Sequence, residues 1–244
     1  MLYICSVRLL SPINLQSLRA KLEENFPAYA STHEHADYIP TGIDGLDRLL
    51  SGGLNRGGVN AWTGRLGAGA LSLLRATVDY SLNHGCRVAV VDGTARFVPS
   101  EWVASSNSSN LWMVRLQDVV KAFTIADILS KCGGFDLIVV DVGALNAPTR
   151  VQHAHLRRAS KEGGGALLVT GENVGLLGAK VVAIEPASID LRTLERTLRL
   201  SLVKGGNPRS LEVVLDVSGQ FIPCRMPSYS ALPDRRPRAK RSSS

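Results

Sequence analysis

The chain alternates short runs of apolar residues with segments of helical periodicity. Three continuous runs of Val, Ile, Leu and Ala, at 87–92, 137–141 and 165–170, predict strands that are covered on both faces. A shorter strand is predicted at 59–62, just ahead of a glycine-rich stretch. Because helical segments separate these strands, the pattern predicts a mainly parallel sheet with helices on its faces.

The helical segments and the end of the chain complete this prediction. Helices are expected at 15–26, 43–50, 70–83, 118–131 and 149–161. Ser11 and Pro12 are typical of a helix start, with an N-cap residue followed by proline, and so extend the first helix forward. The segments 197–205 and 210–217 alternate apolar and polar residues around a turn, which predicts an antiparallel hairpin with one face in solvent. The fold class is therefore α/β, with a C-terminal antiparallel β-hairpin.

Composition narrows the class of protein. With 244 residues, 45% of them hydrophobic and 20% charged, the chain can bury a core without disulfides and is not a disordered protein. It has no apolar run of 18 residues and its start lacks a basic region, so we expect no membrane span, no signal peptide and a cytoplasmic or nucleoid-associated protein. The 4 cysteines are scattered without a C-x-x-C pair, so reduced thiols are expected and no metal site.

The net charge of +7 is concentrated at the C-terminus. Residues 234–241 carry net +4, which leaves +3 for the rest of the chain; the cations are Arg235, Arg236, Arg238, Lys240 and Arg241. Two interpretations stay open: a disordered, solvated tail, or an anchor for nucleic acid or an acidic protein. No aromatic residue is interleaved with the cations, so DNA binding by this tail would be weak and blind to sequence.

A glycine-rich loop lies between the strand at 59–62 and the following helix. Gly64 and Gly69 have the spacing of the two glycines in a phosphate-binding loop, G-x-x-x-x-G-K-[ST], with Gly67 between them. However, Ala70 stands where that loop has its lysine, and Leu71 stands where it has the hydroxyl that binds Mg²⁺. We therefore interpret the loop as a tight strand-to-helix turn and expect no cofactor and no catalytic residue.

Two carboxylates at strand ends were considered as partners of this loop. Asp141 ends the strand at 137–141, where a magnesium-binding carboxylate would lie in a nucleotide-hydrolysing site. In the absence of a metal partner it is interpreted as a strand-end cap. Asp92 and Thr94 follow the strand at 87–92, where a water-activating carboxylate would be expected in such a site.

Several segments together resemble the RecA recombinase core. They are PTGIDGLDRLLSGGLNRGGV (40–59), the glycine loop, RVAVVDGTARF (87–97), GGFDLIVVDVGAL (133–145) and GALLVTGENVGLLG (165–178). The resemblance covers roughly 40–217 and implies a RecA-like core at 40–224, preceded by an N-terminal helix and connector at 1–39 and followed by the basic tail at 225–244. In RecA, a lysine, a threonine and a glutamate perform ATP hydrolysis; the matching positions here are Ala70, Leu71 and Thr94.

Within that superfamily, the short N-terminal helix, the altered loop and the basic tail resemble the ImuA family of bacterial SOS mutagenesis cassettes. This resemblance implies a non-catalytic adaptor in translesion DNA synthesis. The implied partners are an ImuB-type relative of Y-family polymerases, RecA and an error-prone C-family polymerase. Two alternatives stay open: a DNA-binding recombination mediator like the RecA paralogues, and a SulA-like inhibitor of cell division.

Candidate contact residues follow from exposed patterns. The apolar stripe Leu15, Leu18 and Leu22 of the first helix is a candidate docking surface, and Arg157 and Arg158 are candidate contacts for an acidic partner. His153 and His155 have the spacing of a metal pair, but no third ligand is near in sequence. In RecA a DNA-contacting loop follows the third long strand. The matching segment, 171–188, has one cation, Lys180, against two glutamates, so weak DNA binding by the core is expected.

Overall fold

The structure is a computed structural model. It describes residues 2–5, 11–13, 15–26, 37–97, 108–116, 118–144, 149–174, 180–190, 192 and 195–216. The tail at 225–244 and its five cations lie outside the described residues.

Five helices and twelve strands make up this part of the chain. The strands are β1 (Leu2–Cys5), β2 (Ser11–Ile13), β3 (Tyr38–Ile39), β4 (Leu54–Asn55), β5 (Val59–Thr63), β6 (Val88–Asp92), β7 (Leu111–Arg115), β8 (Leu137–Gly143), β9 (Ala166–Gly171), β10 (Lys180–Ile189), β11 (Glu195–Lys204) and β12 (Arg209–Asp216). The helices are α1 (Leu15–Asn25), α2 (Asp44–Leu50), α3 (Ala70–Asn83), α4 (Ala122–Lys131) and α5 (Arg150–Gly163), with short 3-10 turns at Ser108–Asn110 and Val119–Lys121.

One large sheet organises the molecule. Its ten strands lie in the order β12-β11-β10-β5-β9-β8-β6-β7-β1-β2. The six central strands from β10 to β7 are parallel, whereas β11 and β12 at one edge and β1 and β2 at the other are antiparallel to their neighbours. The predicted mainly parallel sheet with a C-terminal antiparallel hairpin is thus confirmed. The carboxyl ends of β5, β6, β8 and β9 meet at one edge, which is where the candidate site lies.

Helices cover both faces of the sheet. The side chains of α1, α4 and α5 pack on one face, and those of α2 and α3 pack on the other. Strands β6 and β8 are buried along their whole length, as the continuous apolar runs predicted. In the hairpin, Leu198, Leu200 and Leu202 are buried beside α2 and α3, and Arg199 on the opposite face is exposed.

The N-terminal segment differs from its prediction. Ser11 and Pro12 do not start a helix; they belong to β2, which pairs with β1 at the edge of the large sheet. Proline lacks an N–H donor and is tolerated on such an edge strand, so a sequence signal for a helix start was here an edge signal. Helix α1 then begins at Leu15. Because β1 and β2 extend the central sheet, the described part of 1–39 is continuous with the core.

Three strands were missing from the prediction: β1, β7 and β10. The one most relevant to function is β10, which occupies Lys180–Ile189, inside the segment matched to a DNA-contacting loop. Its first half is buried between β5 and β11, so that part of the segment is sheet and not a loop. Lys180 donates a hydrogen bond to the Leu50 carbonyl and lies 4.7 Å from the centre of the Tyr38 ring. No helix in the described part of the chain has the length and apolarity that crossing a membrane requires.

Candidate functional site: a glycine-loop cradle with internal ion pairs

The glycine loop connects β5 to α3 at the carboxyl edge of the sheet. The amide of Ala68 donates to the carbonyl of Arg65 over 2.9 Å, which closes a tight turn. Gly69 precedes the helix with a φ of 103°, and a Cβ placed there would lie 2.6 Å from a methyl carbon of Leu198. A Cβ at Gly64 would lie 2.7 Å from the Ile184 carbonyl oxygen. Both glycines are therefore required by close packing of the loop on β10 and β11.

The two residues after the last glycine have apolar side chains that line the cavity. Ala70 begins α3, and Leu71 is 41% exposed. Neither residue can place a cation or a hydroxyl group beside the loop. What the loop keeps of a phosphate site is therefore its curvature and its position before a helix N-terminus.

Asp141 and Arg96 form an ion pair directly across from this loop. Arg96 Nη2 lies 2.6 Å from Asp141 Oδ1, and Arg96 Nε lies 3.2 Å from Asp141 Oδ2. Asp141 is fully buried, whereas the Arg96 side chain is 31% exposed. Ala95 adopts a φ of 57°, an uncommon backbone conformation for a residue with a side chain, immediately before Arg96. A two-toothed guanidinium contact of this kind occupies both carboxylate oxygens.

Thr94 completes this pair. Its hydroxyl donates to Asp141 Oδ2 and accepts from Arg96 Nε over 2.8 Å. The amide of Gly143 lies 3.3 Å from Asp141 Oδ1, so the predicted role of Asp141 as a strand-end cap is present but secondary to the ion pair. The sequence analysis missed Arg96, since nothing in its spacing indicates that it turns back to β8.

Asp92 has a parallel arrangement with another arginine. It lies opposite Asp141 in the register of β6 and β8, and it too is fully buried. Arg115 Nε lies 3.2 Å from Asp92 Oδ2, and the amides of Arg96 and Phe97 also donate to its carboxylate. Asp92 does not line the cavity, so the hypothesis that it stands where a water-activating carboxylate would stand is wrong. Its role is to fix the turn that positions Arg96.

Two more side chains of the chain contact the glycine loop. Glu172 Oε1 accepts from the amide of Leu66 over 3.1 Å, and the backbone carbonyl of Glu172 accepts from the Thr63 hydroxyl over 2.8 Å. Arg196, from β11, donates to the carbonyl of Gly67. Loop amides of this kind are the donors that hold a phosphate group in a nucleotide site. Here a carboxylate already engages one of them and would repel a second anion.

A cavity of about 560 Å³ lies among these groups. Its charged lining residues are Arg65, Arg96, Asp141, Glu172 and Arg196, and its apolar lining includes Leu66, Leu71, Leu74 and Ala144. A magnesium nucleotide needs a free carboxylate, a hydroxyl and a cation on the phosphates. The residues present do not fit that group, because Asp141 is paired, Leu71 has no hydroxyl and Ala70 has no charge.

The remaining candidate residues fall into separate places. Leu18 and Leu22 are 0% and 3% exposed and belong to the core beneath the sheet, and Leu15 packs against that core. The hypothesis that this stripe is a docking surface is therefore wrong, because its side chains pack on their own domain. Arg157 and Arg158 are exposed on α5, about which more follows below. Among the described residues, no group of three or more His, Cys, Asp and Glu side chains that could hold a metal comes together, His153 and His155 included.

Two cysteines of the described chain are free thiols, Cys86 and Cys132. Burial raises the pKa of both thiols above the ordinary cysteine value, and the nearby Asp136 carboxylate raises that of Cys86 further. Both groups therefore lack the electropositive surroundings of a reactive cysteine.

Comparison with known proteins supplies the fold and stops there. No protein-family model and no curated protein matches the chain. Among solved structures, the chain is similar to the RadB recombinase, with a TM-score of 0.59 and 18% sequence identity over 75% of this chain and 97% of that chain. At this identity the likeness concerns the fold. The protein therefore has the fold of the RecA superfamily.

Proposed function

We propose that this protein is a RecA-like adaptor that acts in DNA repair without hydrolysing ATP. Its setting is the bacterial SOS response, where it bridges an ImuB-type polymerase relative and RecA during translesion synthesis. The observation that carries the non-hydrolysing part is the Arg96–Asp141 ion pair, which faces a glycine loop followed by Ala70 and Leu71.

The energetic argument concerns what the cradle has lost. A charge-assisted hydrogen bond contributes about 1.5–3 kcal/mol, and micromolar affinity for a nucleotide needs about 8 kcal/mol in total. Loss of the lysine contact, the metal hydroxyl and the free carboxylate moves the expected affinity for Mg-ATP toward the millimolar range. Glu172, on the amide of Leu66, disfavours the phosphate further.

The adaptor part is supported by the combination of the fold and the sequence. The RecA-like fold and the likeness to a recombinase support a role in DNA damage. The N-terminal, loop and tail features that resemble the ImuA family support the more specific role, with ImuB-type and RecA partners. A scaffold without a hydrolysable ligand would present the same surface throughout, which suits a bridging protein.

A capture experiment with purified proteins tests the adaptor role. The full chain, immobilised through a tag, is offered an ImuB-type protein and RecA separately and together. We expect each to be retained, and we expect retention of the ImuB-type protein to be unaffected by ATP or EDTA. Retention of neither protein would refute the adaptor role, and ATP-dependent retention of the ImuB-type protein would refute its independence of nucleotide.

A second candidate is a DNA-binding recombination mediator. It is favoured by the likeness to a recombinase and by the exposed cations of α5. It predicts tight, salt-sensitive binding of single-stranded DNA together with no retention of the ImuB-type protein. The two candidates therefore give opposite results in the same capture assay.

A further inference from the structure

Helix α5 carries a stripe of cations on its outer face. Arg150, Arg157, Arg158 and Lys161 are all exposed, and Leu156, Ala159 and Ser160 form the buried face of the helix. At about 100° per residue, the four cations fall within roughly 100° of the helix circumference. We call these four residues the α5 stripe.

The α5 stripe surrounds one small residue. Ala154, which is exposed, lies four residues after Arg150 and three, four and seven residues before the other cations. These are the spacings at which side chains of a helix are neighbours. The cations therefore border a shallow surface with a methyl group at its centre, and the stripe extends about 16 Å along the helix axis.

The charge of the stripe is out of proportion to its size. Helix α5 has four cations and one carboxylate, Glu162, so its net charge is +3. That equals the whole net charge of the chain outside 234–241. Glu162 is bound to Arg158 Nε at 2.7 Å, and this pairing leaves Arg150, Arg157 and Lys161 as the stripe's unneutralised charges along α5.

The chemistry of the stripe favours nucleic acid over an acidic protein. Three of the four cations are arginines, whose planar guanidinium groups match phosphate oxygens. Protein interfaces are centred on buried aromatic or aliphatic anchors, whereas the large exposed apolar side chain of α5 is Val151, at the margin of the stripe. A cationic surface without such an anchor fits the phosphate backbone, which carries no sequence information.

We infer that the α5 stripe binds the phosphate backbone of nucleic acid, independently of base sequence. Its length matches about five nucleotides of one strand at 3.4 Å each. This surface is separate from the cavity at the glycine loop. The inference does not depend on the adaptor role, because the probe below contains no protein.

The test is binding of an oligothymidine single strand to the full chain, followed by fluorescence anisotropy. The test variant is Arg150→Gln/Arg157→Gln/Arg158→Gln/Lys161→Gln; glutamine is a good helix former, and the variant leaves the cap residue Thr149 and the buried face intact. The matched control is Arg19→Gln/Lys21→Gln/Arg48→Gln/Lys204→Gln, which removes four exposed cations from other faces. Both proteins keep the C-terminal tail, so its contribution cancels.

The test variant is expected to weaken binding at least about tenfold near 100 mM salt, with the control within about threefold of the original protein. Its salt slope should fall by about 2.8 for four lost single-strand phosphate contacts. The single variant Ala154→Glu, which places a carboxylate among the cations, should weaken binding by several-fold, and circular dichroism checks that each variant is folded.

Three results would overturn the inference. The first is no measurable binding of the single strand by the original protein. The second is an equal loss in the test and control variants, which would mean that net charge alone attracts the strand. The third is a loss of polyglutamate binding with unchanged DNA binding, which would assign the stripe to an acidic protein partner.

Discussion

Arg96 and Asp141 show how a single side chain can change the chemistry of a familiar cradle. The carboxylate is fully buried, and the guanidinium group satisfies both of its oxygens. A cation supplied by the chain itself thus stands where the fold family would use a metal ion. Its cost in free energy of unfolding, if removed, is the residue-scale measure of how firmly the site is closed.

Substitution of Arg96 by methionine should destabilise the protein. It leaves the buried Asp141 carboxylate with only Thr94 and the Gly143 amide, and unpaired buried charge costs several kcal/mol. Because Arg96 is partly exposed, we expect about 2–3 kcal/mol in urea unfolding, which is below the full penalty.

The double variant Arg96→Met/Asp141→Asn provides the control. Removal of both charges should recover part of the loss, because no unpaired carboxylate remains. A single variant that unfolds at the same urea concentration as the original protein would contradict the assignment of this ion pair.

The two described cysteines should react slowly with alkylating agents. Because burial raises the pKa of Cys86 and Cys132, the thiolate fraction at neutral pH is smaller than in a free cysteine. The rate of iodoacetamide labelling, measured for each cysteine by mass spectrometry, should be below that of free cysteine near pH 7 and rise as the pH passes about 9. Labelling of either residue at the free-cysteine rate would contradict this.

At the scale of elements, the glycine loop depends on the hairpin behind it. Gly69→Ala should be more destabilising than Gly67→Ala, although both residues have positive φ, because only the first places a Cβ against Leu198. We expect about 1–2 kcal/mol for Gly67→Ala from its backbone conformation, and more for Gly69→Ala. Chemical unfolding of the two variants in parallel would decide; equal losses would mean that β11 does not support the loop.

Helix α1 gives a second test at this scale. Leu22→Ala should cost about 2–5 kcal/mol, since the side chain is buried in the core beneath the sheet. Val120→Ala, at a position that is 62% exposed, serves as the matched surface variant and should change stability by less than about 0.5 kcal/mol. If Leu22→Ala left stability unchanged, the packing of α1 on the core would be wrong.

Elements with strong periodicity could be predicted from the sequence, and elements set by tertiary pairing could not. The buried runs of β6, β8 and β9 and the alternating hairpin have patterns that only one environment explains. By contrast, β2 contains Ser11 and Pro12, which locally favour a helix start and are overridden by pairing with β1. Strand β10 ends in exposed residues, so its pattern is weak although its first half is buried.

The candidate site was predicted in its absences and missed in its contacts. Ala70 and Leu71 could be assigned because a loop motif fixes their positions. Arg96, Glu172 and Arg196 could not, because each reaches a partner at least 45 residues away along the chain. Such pairings depend on the order of strands in the sheet, which a linear pattern does not specify.

At the scale of the whole molecule, the sheet separates two surfaces with different chemistry. The cavity at the carboxyl edge is closed by the protein's own ion pairs, and the cations of α5 face outward from the opposite side of a packed helix. An adaptor that binds partners without a nucleotide cycle requires the first property. The second gives it a contact that is sensitive to salt and independent of ATP.

Isothermal titration of Mg-ATP into the full chain tests the central claim most directly. The account predicts no saturable heat up to about 1 mM nucleotide, because the cradle lacks its cation and its metal ligands. A dissociation constant in the low micromolar range would contradict it.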